Sequence, residues 1–330
     1  MATIRAAVAQ AAGVPFDREK TLERLEAWAR RAAEEGAQLV VFPEAFVGGY
    51  PWGADFGACV GRRTPEGHEW YRRYHAGAVD VPGKAVDRMA EVARQTDLHL
   101  VVGVIERDGG TLYCTVLFFS PEGYLGKHRK VMPTAAERLV WGYGDGSTLP
   151  VFSTRIGRLG AVICWENYMP LLRMAMYGKG IQLYCAPTAD SRERWVASMR
   201  HIALEGRCFV LSACQFLRRG DFPPEFPTCF GDDPEQIVCP GRSVIVSPAG
   251  EILAGPRDDG ECLLTADLDL DDIVRGKYDF DVTGHYARPD IFQLVVNERA
   301  TPPVRWQSDP SPAEGCEPPV SSQTEESHDR

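Results

Sequence analysis

The chain lacks any apolar run approaching the roughly 20 residues that a membrane-crossing helix needs, so it offers no candidate span. It also lacks a basic stripe. Against 36 Lys+Arg stand 46 Asp+Glu, a net charge of −10, and nothing supplies the phosphate-neutralising surface of a nucleic-acid binder. The opening residues, Met1-Ala-Thr-Ile-Arg-Ala-Ala-Val-Ala, have no long apolar core of a secretory leader. Ten cysteines are scattered from Cys59 to Cys316 with no Cys-x-x-Cys pair and no Cys/His cluster at zinc-ligand spacing, so no metal site is expected. Several, such as Cys185 and Cys208, sit inside apolar runs, which suits free thiols in a reducing compartment better than a disulfide framework. The glycine-rich Gly142-Tyr-Gly-Asp-Gly-Ser has no Lys-Ser/Thr ending, so it is not a phosphate loop. The expectation is a cytoplasmic protein with no metal or cofactor, no membrane partner and no nucleic-acid partner.

What is present is ordinary globular composition, 44% apolar and 25% charged in 330 residues. Short runs rich in Val, Ile, Leu and Phe read as buried strands: residues 4–9, 38–42, 100–105, 113–119, 159–163, 181–185, 208–213, 243–247 and 263–267. Amphipathic stretches at 17–35, 84–95 and 192–205 read as helices, the first closed by Gly36. Strand and helix alternate at first, and later strands are joined by turns such as Ser120-Pro-Glu-Gly and Ser247-Pro-Ala-Gly-Glu. That mixture predicts an α/β layered fold with mixed sheets. No repeat or linker divides the chain, so one domain is expected over 1–300. The remainder, 301–330, reads as a disordered acidic tail: from Asp309 onward six acids accompany a single base, Arg330, with Pro and Ser between.

Three polar residues share a setting. Glu44 follows Leu39-Val-Val-Phe-Pro, Cys164 follows Gly160-Ala-Val-Ile, and Lys130 ends the polar run Gly126-Lys-His-Arg-Lys after an extended segment. In open α/β sheets reactive groups collect at the carboxyl ends of strands, where a crevice opens. An acid, an amine and a thiol delivered there form a usable set. The carboxylate takes the thiol proton, the sulfur attacks an electrophilic carbon, and the ammonium steadies the negative charge that develops. Each residue alone also fits a plain structural role. Cys164 is lifted by the abrupt polar turn Trp165-Glu-Asn-Tyr-Met-Pro, which has the pattern of a nucleophile elbow.

Four longer strings occur in order: Val41-Phe-Pro-Glu-Ala-Phe, His128-Arg-Lys-Val-Met-Pro-Thr-Ala-Ala-Glu-Arg-Leu-Val-Trp-Gly, Ile163-Cys-Trp-Glu-Asn-Tyr-Met-Pro-Leu and Gly284-His-Tyr-Ala-Arg-Pro-Asp. On these the sequence resembles the nitrilase superfamily of carbon–nitrogen hydrolases, from about Ala6 to Asp290, and Cys-Trp-Glu-Asn favours the nitrilase branch. The resemblance implies a four-layer αββα sandwich, a triad of Glu44, Lys130 and Cys164, and a second glutamate beside it at Glu137. It also implies homo-oligomers, from dimers to spirals. The small-molecule substrate would be an organic nitrile, hydrolysed to its carboxylic acid and ammonia through a thioimidate and then an acyl-enzyme.

Aromatic and polar neighbours of these positions are pocket candidates: Tyr50, Trp52, Trp165, Glu166, Tyr168, Thr188 and Trp195. Tyr50 and Trp165 are the expected substrate contacts, being nearest in the chain to Glu44 and Cys164. Such aromatics would suit an aryl or arylalkyl nitrile, but they fit a plain core equally well. His128 reads as a hydrogen-bonded structural histidine, His201 as packing or capping, Arg129 as a local ion pair and His285 as a structural or subunit contact. The rival readings are an amidase or N-carbamoyl hydrolase with the same triad, a cyanide-degrading enzyme with a closed pocket, and a non-catalytic scaffold.

Overall fold

A computed structural model describes residues 3–304 and 306, and residues up to Arg299 form one compact unit. Its first half runs through strand β1 (Thr3–Gln10), helix α1 (Arg18–Glu34), β2 (Leu39–Val41), α2 (Pro65–Gly77), β3 (Val79–Asp80), α3 (Lys84–Thr96), β4 (His99–Asp108), β5 (Thr111–Ser120) and β6 (Gly123–Arg129). The second half supplies β7 (Val151–Thr154), β8 (Gly157–Ala161), α4 (Pro170–Gly178), β9 (Leu183–Cys185), α5 (Glu193–Gly206), β10 (Phe209–Ser212), β11 (Phe216–Arg218), β12 (Ile237–Pro240), β13 (Val244–Val246), β14 (Ile252–Ala254), β15 (Cys262–Asp269) and α6 (Asp271–Asp279).

These strands make two mixed sheets. The first has the order β15-β1-β2-β4-β5-β6, with β3 added to β4; the second has the order β14-β13-β10-β9-β8-β7. In each, a parallel centre (β1, β2, β4 and β8, β9, β10) is flanked by antiparallel strands. Strands β11 and β12 pair as a separate ribbon.

Side-chain alternation explains the layering. Ala6, Val8, Leu39, Val41, Val101 and Ile105 of the first sheet share one core with Leu159, Leu183, Leu211 and Ile245 of the second. Their alternates in the first sheet, Ala7, Ala9, Val40 and Val102, pack instead against Leu22 and Leu25 of α1 and Met89 and Ala93 of α3. In the second sheet Tyr184, Val210 and Val246 meet Met176 of α4 and Trp195, Met199 and Ile202 of α5. The result is an αββα sandwich. Both faces of each sheet are covered, which is why the strands read as unbroken apolar runs rather than alternating ones.

All nine apolar runs contain strands, and the three amphipathic stretches are α1, α3 and α5. One boundary differs where it matters: β8 ends at Ala161 rather than residue 163, so the chain has left the sheet before it reaches Cys164. Helices α2, α4 and α6 were not anticipated. Helix α2 buries only Gly67, Trp70, Tyr74 and Gly77, too sparse a stripe to read from periodicity, and α4 starts at Pro170, which reads as a turn until the missing N–H is seen at a helix's first position. Of the expected tail only 301–304 and 306 are described, and its acidic stretch from Asp309 lies outside the described residues. Among the described residues no helix is long and apolar enough to cross a membrane.

Candidate active site

Each of the three polar residues stands just beyond a strand. Glu44 is three residues past the end of β2, Cys164 three past β8, and Lys130 directly follows β6. Glu44 is fully buried, and its backbone carbonyl accepts a hydrogen bond from Gln215 Nε2 at 2.8 Å. The turn that carries it lies against β4 so closely that a Cβ at Gly103 would sit 2.1 Å from the Pro43 carbonyl oxygen and 2.8 Å from Glu44 Cα. Only glycine permits that approach.

Lys130 is held by its own backbone, whose N–H donates to the Cys114 carbonyl at 2.8 Å. Its Nζ donates to Glu44 Oε1 and to Glu137 Oε2, both at 2.7 Å. Glu137 is fixed in turn by the Thr134 N–H at 2.6 Å and by the Tyr50 hydroxyl at 2.6 Å. Cys114 Sγ approaches the same Glu44 oxygen at 3.4 Å, whereas Glu44 Oε2 is buried and has no hydrogen-bond partner. An unpaired oxygen on a buried carboxyl is uncommon enough to point to use.

Cys164 opens a single 3₁₀ turn, Cys164–Tyr168, with φ of 48°, in the left-handed region that non-glycine residues seldom occupy. The strain is held by bonds on every side. The Cys164 N–H donates to the Pro187 carbonyl, and Asn167 Nδ2 donates to the carbonyls of both Val162 and Cys164, all at 2.8 Å. The Tyr184 hydroxyl, 2.9 Å from Asn167 Oδ1, anchors that amide. Thr188 Oγ1 donates to Cys164 Sγ at 3.1 Å. The sulfur opens on a cavity of about 340 Å³ that Tyr50, Trp52, Glu137, Trp165, Arg192 and Val238 also line.

Burial dominates the electrostatics. It pushes the Glu44 carboxyl above its usual range against the pull of Lys130. It raises the Cys164 thiol well above the ordinary value, with Glu44 adding to the rise and Lys130 opposing it. For Lys130, burial works against the charge, but Glu44 and the neighbouring thiols outweigh it and hold the ammonium proton firmly. Two carboxyls and one ammonium therefore share a buried pit with a protonated thiol. The set is arranged to pass a proton from sulfur to Glu44 as attack proceeds, not to hold a resting thiolate.

The structure thus gathers Glu44, Lys130, Glu137, Tyr50 and Cys164 at one place. Trp165 lines the cavity half exposed, its indole N–H donating to Asp190 Oδ2 at 2.8 Å, with the Arg192 guanidinium 5.0 Å over the ring. Trp52 lines the cavity too, while the remaining pocket candidates fall elsewhere. Trp195 is core, its indole bonded to Ser212 Oγ at 2.9 Å. Thr188 touches the sulfur from within the protein, and Tyr168 stacks edge-on between Trp165 and Trp195. Glu166 is fully buried behind the turn, because the 3₁₀ geometry points position 164 and position 166 in different directions. Arg129 pairs with Glu106, His201 lies near Glu205 at 3.7 Å, and His285 meets Tyr286 edge to face. Gln215 went unnoticed, yet it too lies three residues past its strand, β10, and the same strand-end rule would have found it.

A carbon–nitrogen hydrolase family model matches residues 5–278. The chain is 60% identical over 317 residues to a bifunctional nitrilase/nitrile hydratase of Nicotiana tabacum, covering 94% of this chain and 91% of that one. It is also 60% identical over 298 residues to an aliphatic nitrilase of Sinorhizobium fredii, with coverage of 90% and 97%. Among solved structures, Saccharomyces cerevisiae Nit3, a member of branch 10 of the nitrilase superfamily, superposes with a TM-score of 0.65 at 23% identity, covering 86% of this chain and 96% of Nit3. A carbon–nitrogen hydrolase of Helicobacter pylori superposes with a TM-score of 0.69 at 20% identity, covering 88% and 97%. At those identities the solved structures speak to the fold.

Proposed function

The chain belongs to the carbon–nitrogen hydrolase family, and from that membership we propose that it hydrolyses an organic nitrile to the carboxylic acid and ammonia with Cys164 as nucleophile. The observation that carries the reading is the hydrogen-bonded chain Glu44–Lys130–Glu137 set around the sulfur at the floor of one cavity.

Glu44 takes the Cys164 proton as Sγ adds to the carbon of R–C≡N. The nitrogen gains that proton and a thioimidate forms. A water deprotonated by Glu44 adds to the same carbon, the C–N bond breaks, and ammonia leaves a thioester. A second water cleaves the C–S bond and restores the thiol, so one nitrile and two waters give one acid and one ammonia. Lys130 and the Trp165 N–H stabilise the negative charge that develops on nitrogen or oxygen, and each such donor contributes about 3–4 kcal/mol in the transition state. Glu137 orients Lys130. Glu44 Oε2, free of partners, is the oxygen suited to carry protons through the cycle.

If the C–S bond breaks before the C–N bond, the same intermediate yields the amide. The Nicotiana tabacum relative, named for both activities, favours testing for this second product. The volume of about 340 Å³ argues against the cyanide reading, since a triatomic substrate needs little more than the roughly 30 Å³ of a water molecule. In keeping with the sequence, the enzyme is read as a cytoplasmic homo-oligomer acting without metal or cofactor, with no nucleic-acid or membrane partner.

The test is an ammonia assay with phenylacetonitrile, an aliphatic nitrile, a dinitrile and the matching amides. Nitrile turnover is expected, and Cys164→Ala should lower it by roughly 10⁴-fold or more without loss of fold. Activity on amides alone, or persistent turnover in Cys164→Ala, would overturn the proposal.

A further inference from the structure

Behind the reacting groups lies a second buried charged assembly that the mechanism above does not use. Glu166 and His128 are both fully buried. Glu166 Oε1 accepts from the Val131 N–H at 2.5 Å, and Oε2 accepts from the Ile163 N–H at 2.8 Å. Val131 is the residue after Lys130, and Ile163 is the residue before Cys164. One carboxyl therefore grips the backbone beside the ammonium with one oxygen and the backbone beside the thiol with the other. The two segments come from different sheets, since β6 belongs to the first and β8 to the second.

His128 completes the arrangement. Its Nε2 lies 2.9 Å from Glu166 Oε2, and its Nδ1 lies 2.6 Å from the Thr148 carbonyl oxygen. A carbonyl can only accept, so Nδ1 carries a proton. Both Glu166 oxygens already accept from backbone N–H groups, the arrangement that suits a carboxylate, and a carboxylate 2.9 Å away draws a second proton onto Nε2, which makes the ring an imidazolium.

We infer that His128 and Glu166 form a charged clamp that sets the position of Lys130 against Cys164 across the two sheets. Both are positioning residues, and neither touches substrate. The inference rests on the reading of Lys130 and Cys164 given above.

The groups around the clamp agree with this. Burial alone favours a neutral ring, but the Glu166 charge and hydrogen bond outweigh it and raise the imidazole above its ordinary value. On β6 itself, Lys127 and Arg129 alternate to the opposite face and are engaged by Glu106 of β4. Lys130, on the His128 side, is engaged by Glu44 and Glu137. Among the described residues, Glu166 is the carboxyl that acts on the ring, alongside the Thr148 carbonyl.

The experiment has two arms. Wild-type protein with ring-¹⁵N histidine is titrated by NMR, the His128 signals being those that persist in each single His→Gln variant of the other six histidines. Both ring nitrogens should remain protonated at pH 7.5, above the ordinary histidine value of about 6.5, and the same should hold in Cys164→Ala. A neutral ring in the wild type at pH 7 overturns the inference. In the second arm, His128→Gln and Glu166→Gln should each lower kcat at least tenfold while KM moves less than twofold. A folded variant of either kind with kcat within twofold of wild type overturns it too. If neither variant folds, the wild-type ring charge decides alone. Turnover surviving in Cys164→Ala would instead refute the nucleophile assignment, so the two failures are separable.

Discussion

Strand β6 carries a charged cluster on each face, and the two are built on opposite plans. On one face a single carboxylate, Glu106, sits among cations: Lys127 Nζ at 2.5 Å and the Arg129 guanidinium at 2.7 and 2.9 Å, with Thr115 also donating to it. Arg129 adds Asp108 at 2.9 Å, and every charge has a partner. Burial works against the Glu106 charge, but Arg129 and Lys127 outweigh it and hold the carboxyl below its usual value. On the other face, beside the His128–Glu166 pair, Lys130 just past the strand's end sits among carboxyls, one oxygen of Glu44 is left without a hydrogen bond, and burial lifts the Glu44 carboxyl instead. The first cluster drives its groups away from titration and only holds strands together. The second leaves a proton acceptor and a thiol both raised, so that a proton can move between them during a reaction.

Substitutions can sharpen that contrast. The largest effect is expected for Lys130→Met, which removes the ammonium from between two carboxyls. Initial rates should fall by about 10²–10³ in kcat, and denaturant titration should show a loss of about 3–5 kcal/mol because a buried pair has been broken from one side. Glu137→Gln should be milder, with kcat down by roughly ten- to a hundredfold: all three of its contacts are donors, and an amide nitrogen must turn against one of them. Unchanged steady-state kinetics in Glu137→Gln would contradict an orienting role.

On the opposite face, Glu106→Gln should cost about 1–3 kcal/mol of stability by leaving buried donors poorly matched, while kcat of the folded enzyme stays within twofold. A large kcat loss there would erase the distinction between the faces. The smallest expected effect is a pH dependence. Because the His128 value is raised on folding, its stabilising contribution is complete below about 6.5 and is lost as pH climbs through the elevated value. Wild-type melting temperature should therefore drop more between pH 6 and pH 9 than that of His128→Gln, by a few degrees.

Much of this arrangement was legible beforehand. Apolar runs marked nine strands, and a polar residue just past such a run marked Glu44 and Cys164, because a buried strand must release its chain at an edge; Lys130 instead ends a polar run, and the seven-residue β6 before it carries too many glycines and charges to show an apolar run. Glu137 was different. It belongs to a short 3₁₀ turn with no apolar period, and only the family resemblance singled it out. Glu166 was read as a pocket wall because aromatic residues surround it in the chain, but a side chain's direction within one tight turn depends on backbone angles that no pattern of residue types records. The small strands β3, β7, β11, β12 and β14 span two to four residues, too few for an alternation to show. That the strands divide into two stacked sheets was likewise not contained in local periodicity, which describes each strand's faces without naming what covers them.

Glu44 and Lys130 reach the site from one sheet and Cys164 from the other, so the reacting groups meet only when the two halves of the sandwich have closed. A chain still emerging from the ribosome, or one whose second half has come loose, carries the same side chains and no working centre. Turnover in this protein therefore reports that the two sheets have met, and no excised half should show any.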